Sequence, residues 1–161
     1  MKIQNIAAYT AELTYAGKAY AFAGGRSHTA FTTTVVVLTT DTGMMGFGEV
    51  CPCGPNYMPA FAEGIPACLA ILAPGVLGQD PTQTAVINER MNQALTGHAV
   101  AKAASTHPRT LLNTTDLHNY NTTQLAEGAP EVSGGRMTLS DRPGLGVTPD
   151  FTQLTLHEVY E

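Results

Sequence analysis

The segment 31–50 constrains the fold of this chain more than any other. Its first part, FTTTVVVLTT, is dense in threonine and valine, whose β-branched side chains suit a pleated, half-buried surface. A turn signal follows at Asp41-Thr42-Gly43, and MMGFGEV then returns as a partner strand. The pattern predicts an antiparallel hairpin with strands at Phe31–Thr40 and Met44–Val50.

A further strand is predicted before this hairpin. The stretch from Lys2 to Leu13 alternates loosely, with Ile3 and Ile6 among its apolar positions. A glycine-rich and aromatic loop then leads to the hairpin. The N-terminal third is therefore either an isolated β-hairpin or, with the first strand, a three-stranded antiparallel meander.

Two helices are predicted after the strands. A proline-stiffened loop, CPCGPNYMP, is followed by apolar residues at helical spacing: Phe61, Ile65, Leu69 and Leu72. Because proline inside a helix costs roughly 3 kcal/mol, Pro66 predicts that the first helix begins at Ile65, with the proline in its first turn.

The second helix is predicted to open at Asp80-Pro81, with Asp80 as N-cap and Pro81 at the first helical position. Gly97 is predicted to close it. Its expected buried face consists of Ile87, Met91 and Leu95. Strands followed by helices define the α+β class, here a three-stranded antiparallel sheet packed on helices between about residues 60 and 104.

Composition and charge exclude several classes of partner. Charged residues make up only 13% of the chain, so either the surface is unusually uncharged or part of it is expected to be covered. The net charge is −5, and the eight lysines and arginines are spread along the chain, which gives no footprint for nucleic acid or anionic lipid. No apolar run approaches the roughly 20 residues of a membrane span, and the N-terminus does not read as a signal peptide. We expect a cytoplasmic protein.

The three cysteines, Cys51, Cys53 and Cys68, are expected to be reduced and packed rather than disulfide-bonded. Cys51-Pro52-Cys53 could form half of a metal clip. Structural zinc needs four ligands, however, and no second pair lies at suitable spacing, so we expect no metal site here.

The last third of the sequence changes character. Residues 105–154 are polar and rich in threonine, asparagine, glycine and proline, with no amphipathic helix of useful length. Loops longer than about 12–15 residues are uncommon in compact domains. We therefore expect a weakly ordered tail, in which either GRMTL (135–139) or the final LTLHEVY (154–160) adds a strand.

Several of these stretches resemble one known family. TTDTGMMGFGEVCPCGPNYMP, followed by two helices ending in GHAVAKAA, is similar to the N-terminal capping domain of the mandelate racemase and muconate lactonizing branch of the enolase superfamily. GGRMTLSDRPGLGVTPD resembles the end of the same proteins. The resemblance implies a capping domain at 1–104, and a remnant of the last barrel strand with the segment returning to the cap at 105–161.

A subgroup within the family shares more local features. The GGR motif at 24–26, CPCGPNY at 51–57 and GHAVAKAA at 97–104 resemble cis-3-hydroxy-L-proline dehydratases and hydroxyproline betaine epimerases. This likeness implies a small carboxylate substrate, in particular a hydroxyproline-type amino acid.

The resemblance also implies what the chain lacks. Family members abstract a proton next to a carboxylate with a Lys or His base on a barrel strand, commonly within Lys-x-Lys, while Mg²⁺ stabilises the ene-diolate. Such a barrel takes about 250 residues, more than this whole sequence, and the join at 103–105 omits most of it. The only lysines are Lys2, Lys18 and Lys102. No catalytic residue and no Mg²⁺ ligand can be carried over, so we expect a truncated, catalytically inactive chain.

The remaining candidate residues belong to substrate-covering loops. In the family two cap loops close over the barrel mouth, and they correspond here to 20–26 and 54–58. Tyr57 is the leading substrate contact, because an aromatic face suits a cationic ring nitrogen; packing of the proline-rich loop explains it equally well. Asn56 and Phe22 are weaker candidates. Asp116 follows the remnant strand and serves equally well as a turn residue.

Three functions remain open on this basis. The first is the inactive family member just described. The second is a cap-domain binding or assembly module that self-associates as a homo-oligomer or pairs with an intact homologue. The third is an unrelated small α+β enzyme, for which the sequence shows no combination of base and nucleophile.

Overall fold

An antiparallel sheet forms the centre of the structure, which is a computed structural model describing residues 1–52, 62–97, 122–134, 136–138, 140–142 and 146–161. In chain order the strands are β1 Ile3–Thr14, β2 Tyr20–Ala21, β3 Ser27–His28, β4 Ala30–Thr40, β5 Met45–Val50, β6 Ala126–Glu127, β7 Val132–Ser133, β8 Arg136–Met137, β9 Thr148–Pro149 and β10 Thr155–Tyr160. The helices are α1 Gly64–Val76 and α2 Thr84–Ala94. The main sheet has the order β10-β1-β4-β5, and β2-β3, β6-β9 and β7-β8 form small two-stranded ladders.

The predicted hairpin and N-terminal strand are confirmed as a meander of β1, β4 and β5, with bounds within one residue of those expected at most ends. The turn between β4 and β5 is closed by Thr40, whose N–H donates to Met44 O over 2.9 Å and whose Oγ1 accepts from Met44 N over 3.0 Å. Gly43 takes the positive φ of 79° that this turn requires.

The C-terminal segment adds the fourth strand, as LTLHEVY predicted. β10 pairs antiparallel with β1, with Ala8 opposite Glu158 and a bulge between Ala8 and Tyr9. The other predicted stretch, GRMTL, contributes β8, which pairs with β7 outside the main sheet. Residues distant in sequence thus share one sheet. The weak order expected of the tail stays a prediction.

Helix α1 packs on the sheet as its apolar spacing predicted. It begins at Gly64, one residue before the expected start, and Pro66 lies in its first turn, where no N–H is needed. Ile65, Leu69 and Leu72 are all buried. Phe61, the first residue of the predicted stripe, lies outside the described residues.

Helix α2 begins later than predicted, and the assignments of Asp80 as N-cap and Pro81 as first helical residue are wrong. Asp80 Oδ1 accepts from Thr82 N and Thr82 Oγ1 over 3.0 and 2.8 Å, which closes a local turn before the helix. Gln83 then has φ −86° and ψ 57°, outside the helical region, so the helix starts at Thr84.

The end of α2 also differs from the prediction. The helix ends at Ala94, because Leu95 is already extended, and Gly97 takes its positive φ of 78° beyond the helix. Ile87 and Met91 pack against the core as expected, although both remain only half-buried. Leu95 is half-buried as well.

Both faces of the sheet carry apolar residues. The face toward the helices includes Ile6 and Ala8 from β1, with Val36 packed against them from β4. The opposite face is centred on Ala7 and is covered by a few half-buried side chains: Tyr9, Phe47 and Leu154. Among the described residues, no helix combines the length and apolar character needed to cross a membrane.

Candidate functional site

One end of the main sheet gathers the loops that the sequence singled out. Thr14 at the end of β1 is opposite Ala30 at the start of β4, and Val50 at the end of β5 is opposite Thr34. We call this end the loop edge. The connection 15–29, here called the edge loop, and the chain that follows Val50 both leave the sheet there, whereas the turn between β4 and β5 lies at the other end.

The edge loop is a small hairpin standing on the loop edge. Its two arms pair through β2 and β3, with Tyr20 opposite His28. At its base Tyr15 N–H donates to Thr29 O over 2.9 Å, and at its tip Phe22 N–H donates to Arg26 O over 2.8 Å. The backbone of this loop therefore closes on itself at both ends.

The tip of the edge loop depends on glycine. Residues Ala23–Gly25 form a single 3₁₀ turn, in which Gly24 and Gly25 have φ of 78° and 74°. Side chains are strained in this left-handed region. The guanidinium of Arg26 lies 3.4 Å from Ala23 O through both Nε and Nη2, which closes the turn further. The GGR motif is therefore explained by turn geometry.

Five rings link the edge loop to the sheet, and we call them the aromatic cluster: Tyr15, Tyr20, Phe22, His28 and Phe31. The Tyr20 and Phe22 centroids lie 4.8 Å apart at 61°, and those of Phe22 and His28 lie 5.5 Å apart at 82°. His28 also contacts Phe31 of β4 at 5.3 Å. The first two pairs have the geometry of attractive edge-to-face contacts, whereas the rings of His28 and Phe31 are tilted by 35°.

Next to the loop edge, a part-buried hydrogen bond joins β4 and β5. Thr33 is fully buried, and its Oγ1 donates to Glu49 Oε1 over 2.8 Å, with Val50 O at 3.2 Å. Glu49 thus joins neighbouring strands. The adjacent Thr34 is also fully buried, and its Oγ1 has no hydrogen-bond partner within the described part of the chain.

The cysteines and acids were tested as metal ligands. Cys51 and Cys68 are reduced, and the Cys51 thiol lies 3.8 Å from Thr32 O. Cys53 lies outside the described residues. Across the described ranges, no three His, Cys, Asp or Glu side chains are grouped so that they could hold a metal ion. The described residues therefore do not fit a Mg²⁺ site.

Three side chains have a pKa displaced from its usual value, and two of them lie near the start of β1. Hydrogen bonds from the Thr82 N–H and hydroxyl lower the pKa of Asp80. Burial, together with the hydrogen bond and charge of Glu158, raises the pKa of Tyr160 to about 12. Tyr160 lies beside Ile6, at the half of β1 away from the loop edge. A third displacement lies in the tail, where hydrogen bonds from Thr152 and Gln153 lower the pKa of Asp150.

Of the four residues predicted as substrate contacts, only Phe22 lies in the described part of the chain, where it belongs to the aromatic cluster. Tyr57, Asn56 and Asp116 lie outside it. Sequence reasoning missed His28 and Phe31. Their signal was the high density of rings between positions 15 and 31, but the pairing of β2 with β3 is what brings those rings together.

The two-layer arrangement of a meander and helices, with its loops at one edge, defines a capping domain of the α+β class. The N-terminal domain of the mandelate racemase / muconate lactonizing enzyme family matches residues 12–106, and the chain belongs to that family. The resemblance noted in the sequence is thereby confirmed.

Individual relatives support the same placement. The chain is 39% identical over 103 residues to a cis-3-hydroxy-L-proline dehydratase from Roseibium aggregatum, covering 64% of this chain and 28% of the relative. A structure from Roseovarius nubinhibens ISM, described as a mandelate racemase/muconate lactonizing enzyme complexed with magnesium, is 41% identical, with a TM-score of 0.63 over 65% of this chain and 28% of that one. An N-succinyl Arg/Lys racemase from Bacillus cereus is 26% identical, with a TM-score of 0.59 and the same two coverages. The chain thus spans little more than a quarter of its relatives' length.

Proposed function

We propose that residues 1–104 act as the substrate-covering cap of an enzyme that removes the α-proton of a small carboxylate, in particular a hydroxyproline-type amino acid. The observation that carries this proposal is the loop edge, at which both the edge loop and the chain after Val50 leave the sheet. The name of the Roseibium relative supports the choice of substrate.

Within this proposal the loops select the substrate and exclude water. Loops that cover a site exclude water from it, and this exclusion strengthens the electrostatic interactions inside. Tyr57 and Phe22 would supply aromatic faces toward a cationic ring nitrogen, and Asn56 and Asp116 would supply polar contacts. Phe22 is half-buried, so part of its ring stays available after its contacts within the aromatic cluster.

We assign residues 105–161 as a remnant of the last barrel strand together with the segment that returns to the cap. The pairing of β10 with β1 supports this assignment, because it returns the end of the chain to the capping sheet. Thr122 N–H also donates to Thr14 O over 3.1 Å, at the loop edge itself.

The sequence lacks the Lys-x-Lys motif that commonly supplies the base in the resembled family. It contains three lysines, and no two of these are spaced as Lys-x-Lys. A base of this kind has to lie within hydrogen-bond reach of the proton that it removes. We therefore propose that this chain by itself does not catalyse the reaction of its relatives.

Proton exchange tests that inactivity directly. The purified chain is incubated with cis-3-hydroxy-L-proline and MgCl₂ in D₂O, and loss of the α-proton signal is followed by NMR, with the Roseibium relative as positive control. We expect exchange at the rate of buffer alone. Calorimetric titration with Mg²⁺ is expected to show no stoichiometric site. Catalysed exchange, or micromolar stoichiometric binding, would overturn the proposal of inactivity.

A chimera tests the substrate-covering role. Residues 1–104 replace the corresponding cap of the Roseibium relative, and Tyr57→Ala is compared with Tyr57→Phe. Loss of a cation–π contact of about 1 kcal/mol predicts a KM about fivefold higher for the alanine variant, whereas phenylalanine retains the aromatic face. An unchanged KM in the alanine variant would remove Tyr57 from the substrate site.

A second function, assembly through the sheet, is favoured by one observation. On the sheet face away from the helices, Leu156 and Val159 of β10 remain 53% and 42% exposed beside Tyr9 and Ala7. Exposed apolar patches commonly mark interaction surfaces. Light scattering after size exclusion tests this candidate: a dimer that Leu156→Lys dissociates supports it, and a monomer at all concentrations rejects it.

A further inference from the structure

We propose that the edge loop is a preformed lid, held in a single conformation before any substrate binds, and that His28 and Phe31 are positioning residues for Phe22. The role of the edge loop as a lid rests on the proposed function. The claim that the loop is already ordered rests only on the loop itself and is tested without substrate.

The first step is the continuous path of ring contacts. Phe31 belongs to β4 and is therefore fixed by the main sheet. His28 contacts Phe31 at 5.3 Å and Phe22 at 5.5 Å, so it joins the sheet to the tip of the loop. Phe22 and Phe31 lie farther apart, at 6.4 Å. The sheet therefore restrains Phe22 in two ways, through the direct contact with Phe31 and through the two closer contacts that His28 makes.

The second step is the other arm of the loop. Tyr15 contacts Tyr20 at 5.4 Å, and Tyr20 contacts Phe22 at 4.8 Å, both edge-to-face. Phe22 is therefore held from both arms of the hairpin. Because the positive edge of each ring meets the negative face of its neighbour, these contacts restrict orientation as well as distance.

The third step is the backbone. Hydrogen bonds close the loop at its base, from Tyr15 N–H to Thr29 O, and at its tip, from Phe22 N–H to Arg26 O. A two-stranded hairpin alone is marginal in water, so ring packing against the sheet supplies the missing support. Backbone closure and ring packing thus restrain the same residue, Phe22.

A preformed loop changes how the cap would select a ligand. A loop that orders only on binding loses conformational entropy at that moment, whereas a preorganised loop does not. Phe22 then acts as a fixed wall whose position is set before the ligand arrives. The cap would then discriminate between ligands by how well each one packs against Phe22, and not by whether the ligand can order the loop.

The experiment is amide hydrogen exchange of the full chain by NMR, without substrate or metal, in wild type and three variants. His28→Ala removes the bridging ring, and His28→Phe retains a ring of similar shape. Lys18→Ala changes an exposed side chain of the same loop and serves as the control. The informative amides are those of Phe22 and Tyr15, compared with amides of β1.

We expect measurable protection of the Phe22 amide in wild type, a loss of about tenfold or more in His28→Ala, and recovery in His28→Phe, with β1 amides unchanged throughout. Lys18→Ala is expected to match wild type. An unprotected Phe22 amide in wild type, or no recovery with phenylalanine, would overturn the proposal.

A second measurement covers the case in which His28→Ala unfolds. In wild type, nuclear Overhauser contacts between the rings of His28 and Phe22, and between those of His28 and Phe31, are expected from their separations. Their absence would overturn the proposal without any variant. The two claims can fail separately. A protected Phe22 amide would support the ordered loop even if the KM of the Tyr57→Ala chimera were unchanged. The unchanged KM would then count only against the proposed substrate contact.

Discussion

Helices α1 and α2 follow one another in the chain and have similar lengths, yet they contribute differently to the fold. Seven residues of α1 are buried, whereas α2 buries none. Intrinsic propensity favours the opposite order, because α1 reads GIPACLAILAPGV, with two prolines and two glycines, and α2 reads TAVINERMNQA. Helix stability here comes from the apolar face that the sheet covers, as is general for short helices.

An apolar cavity beside α2 accounts for part of the difference in burial between the two helices. A largely apolar cavity of about 200 Å³ lies among β1, β4 and the two helices, with Ile87 and Met91 of α2 on one side and Ile3 on the other. Packed interiors leave few voids of this size. Leu69 of α1 lines the same cavity but is also packed with Ala8 of β1, whereas Ile87 and Met91 of α2 stay half-buried.

The largest expected effect comes from truncating one apolar side chain in each helix and comparing the losses of stability. Leu72→Ala removes a 3% exposed side chain of α1 and is expected to lower the free energy of unfolding by about 2–5 kcal/mol. Ile87→Ala, its matched control in α2, removes a side chain that is only half-buried and should cost about 1 kcal/mol or less. Urea denaturation measures both, and equal losses would contradict the comparison.

A gain of stability is expected on the α2 side. Asn88 is a half-buried polar residue lining the apolar cavity. Asn88→Leu replaces it with a side chain that the cavity can accommodate and should raise the free energy of unfolding by about 1 kcal/mol. Gln93→Leu, at an exposed position of the same helix, is the control for helix propensity and should gain less. A loss of stability in Asn88→Leu would show that the cavity is not a packing defect.

Tyr160→Phe tests how much a hydrogen bond between the sheet and α1 contributes to stability. The Tyr160 hydroxyl lies 3.3 Å from Pro66 O in the first turn of α1 and 2.9 Å from Glu158 Oε2. Loss of these hydrogen bonds should cost about 1 kcal/mol at neutral pH.

The same variant should change the response to high pH. The folded pKa of Tyr160, about 12, lies above the unfolded value of about 10, so its contribution is complete below pH 10 and is lost as the pH rises toward 12. Stability of wild type and Tyr160→Phe is compared by denaturant titration across this range. The prediction is wrong if the two proteins lose stability in parallel between pH 10 and 12.

The smallest effect is expected at the entry to α2. The pKa of Asp80 is lowered by its hydrogen bonds to Thr82, so its ionised form favours the folded state above the unfolded pKa of about 4, and this contribution is lost as the pH falls below it. Asp80→Ala should flatten this acid dependence slightly. Because Asp80 closes a turn outside the helix, the helix content by circular dichroism should stay constant. A clear loss of helix would restore its role as N-cap.

Much of the fold followed from local sequence patterns. The run FTTTVVVLTT specifies a strand, and the spacing of Ile65, Leu69 and Leu72 specifies a helix together with its buried side. The start of α2 was misplaced because an aspartate can cap a turn as well as a helix, and Asp80 bonds only as far as Thr82. Local sequence does not distinguish these two outcomes.

The candidate site was less accessible from sequence. Phe22 was singled out from the loop, but its partners depend on the pairing of Tyr20 with His28 and on the anchoring of Phe31 in the sheet. Likewise, LTLHEVY was recognised as a strand, but nothing in it specified β1 as its neighbour. Contacts of this kind arise from tertiary packing between distant segments rather than from periodicity.

Residue-resolved hydrogen exchange at increasing low urea concentrations tests the central comparison most directly. The account predicts that the amides of Leu72 in α1 and Val36 in β4 exchange only with global unfolding, with the same free energy and urea dependence. The amide of Ile87 in α2 should exchange through a local opening of lower free energy that barely depends on urea. If Ile87 exchanged with the same free energy and urea dependence as Leu72, α2 would belong to the cooperative core, and the proposed difference between the helices would be wrong.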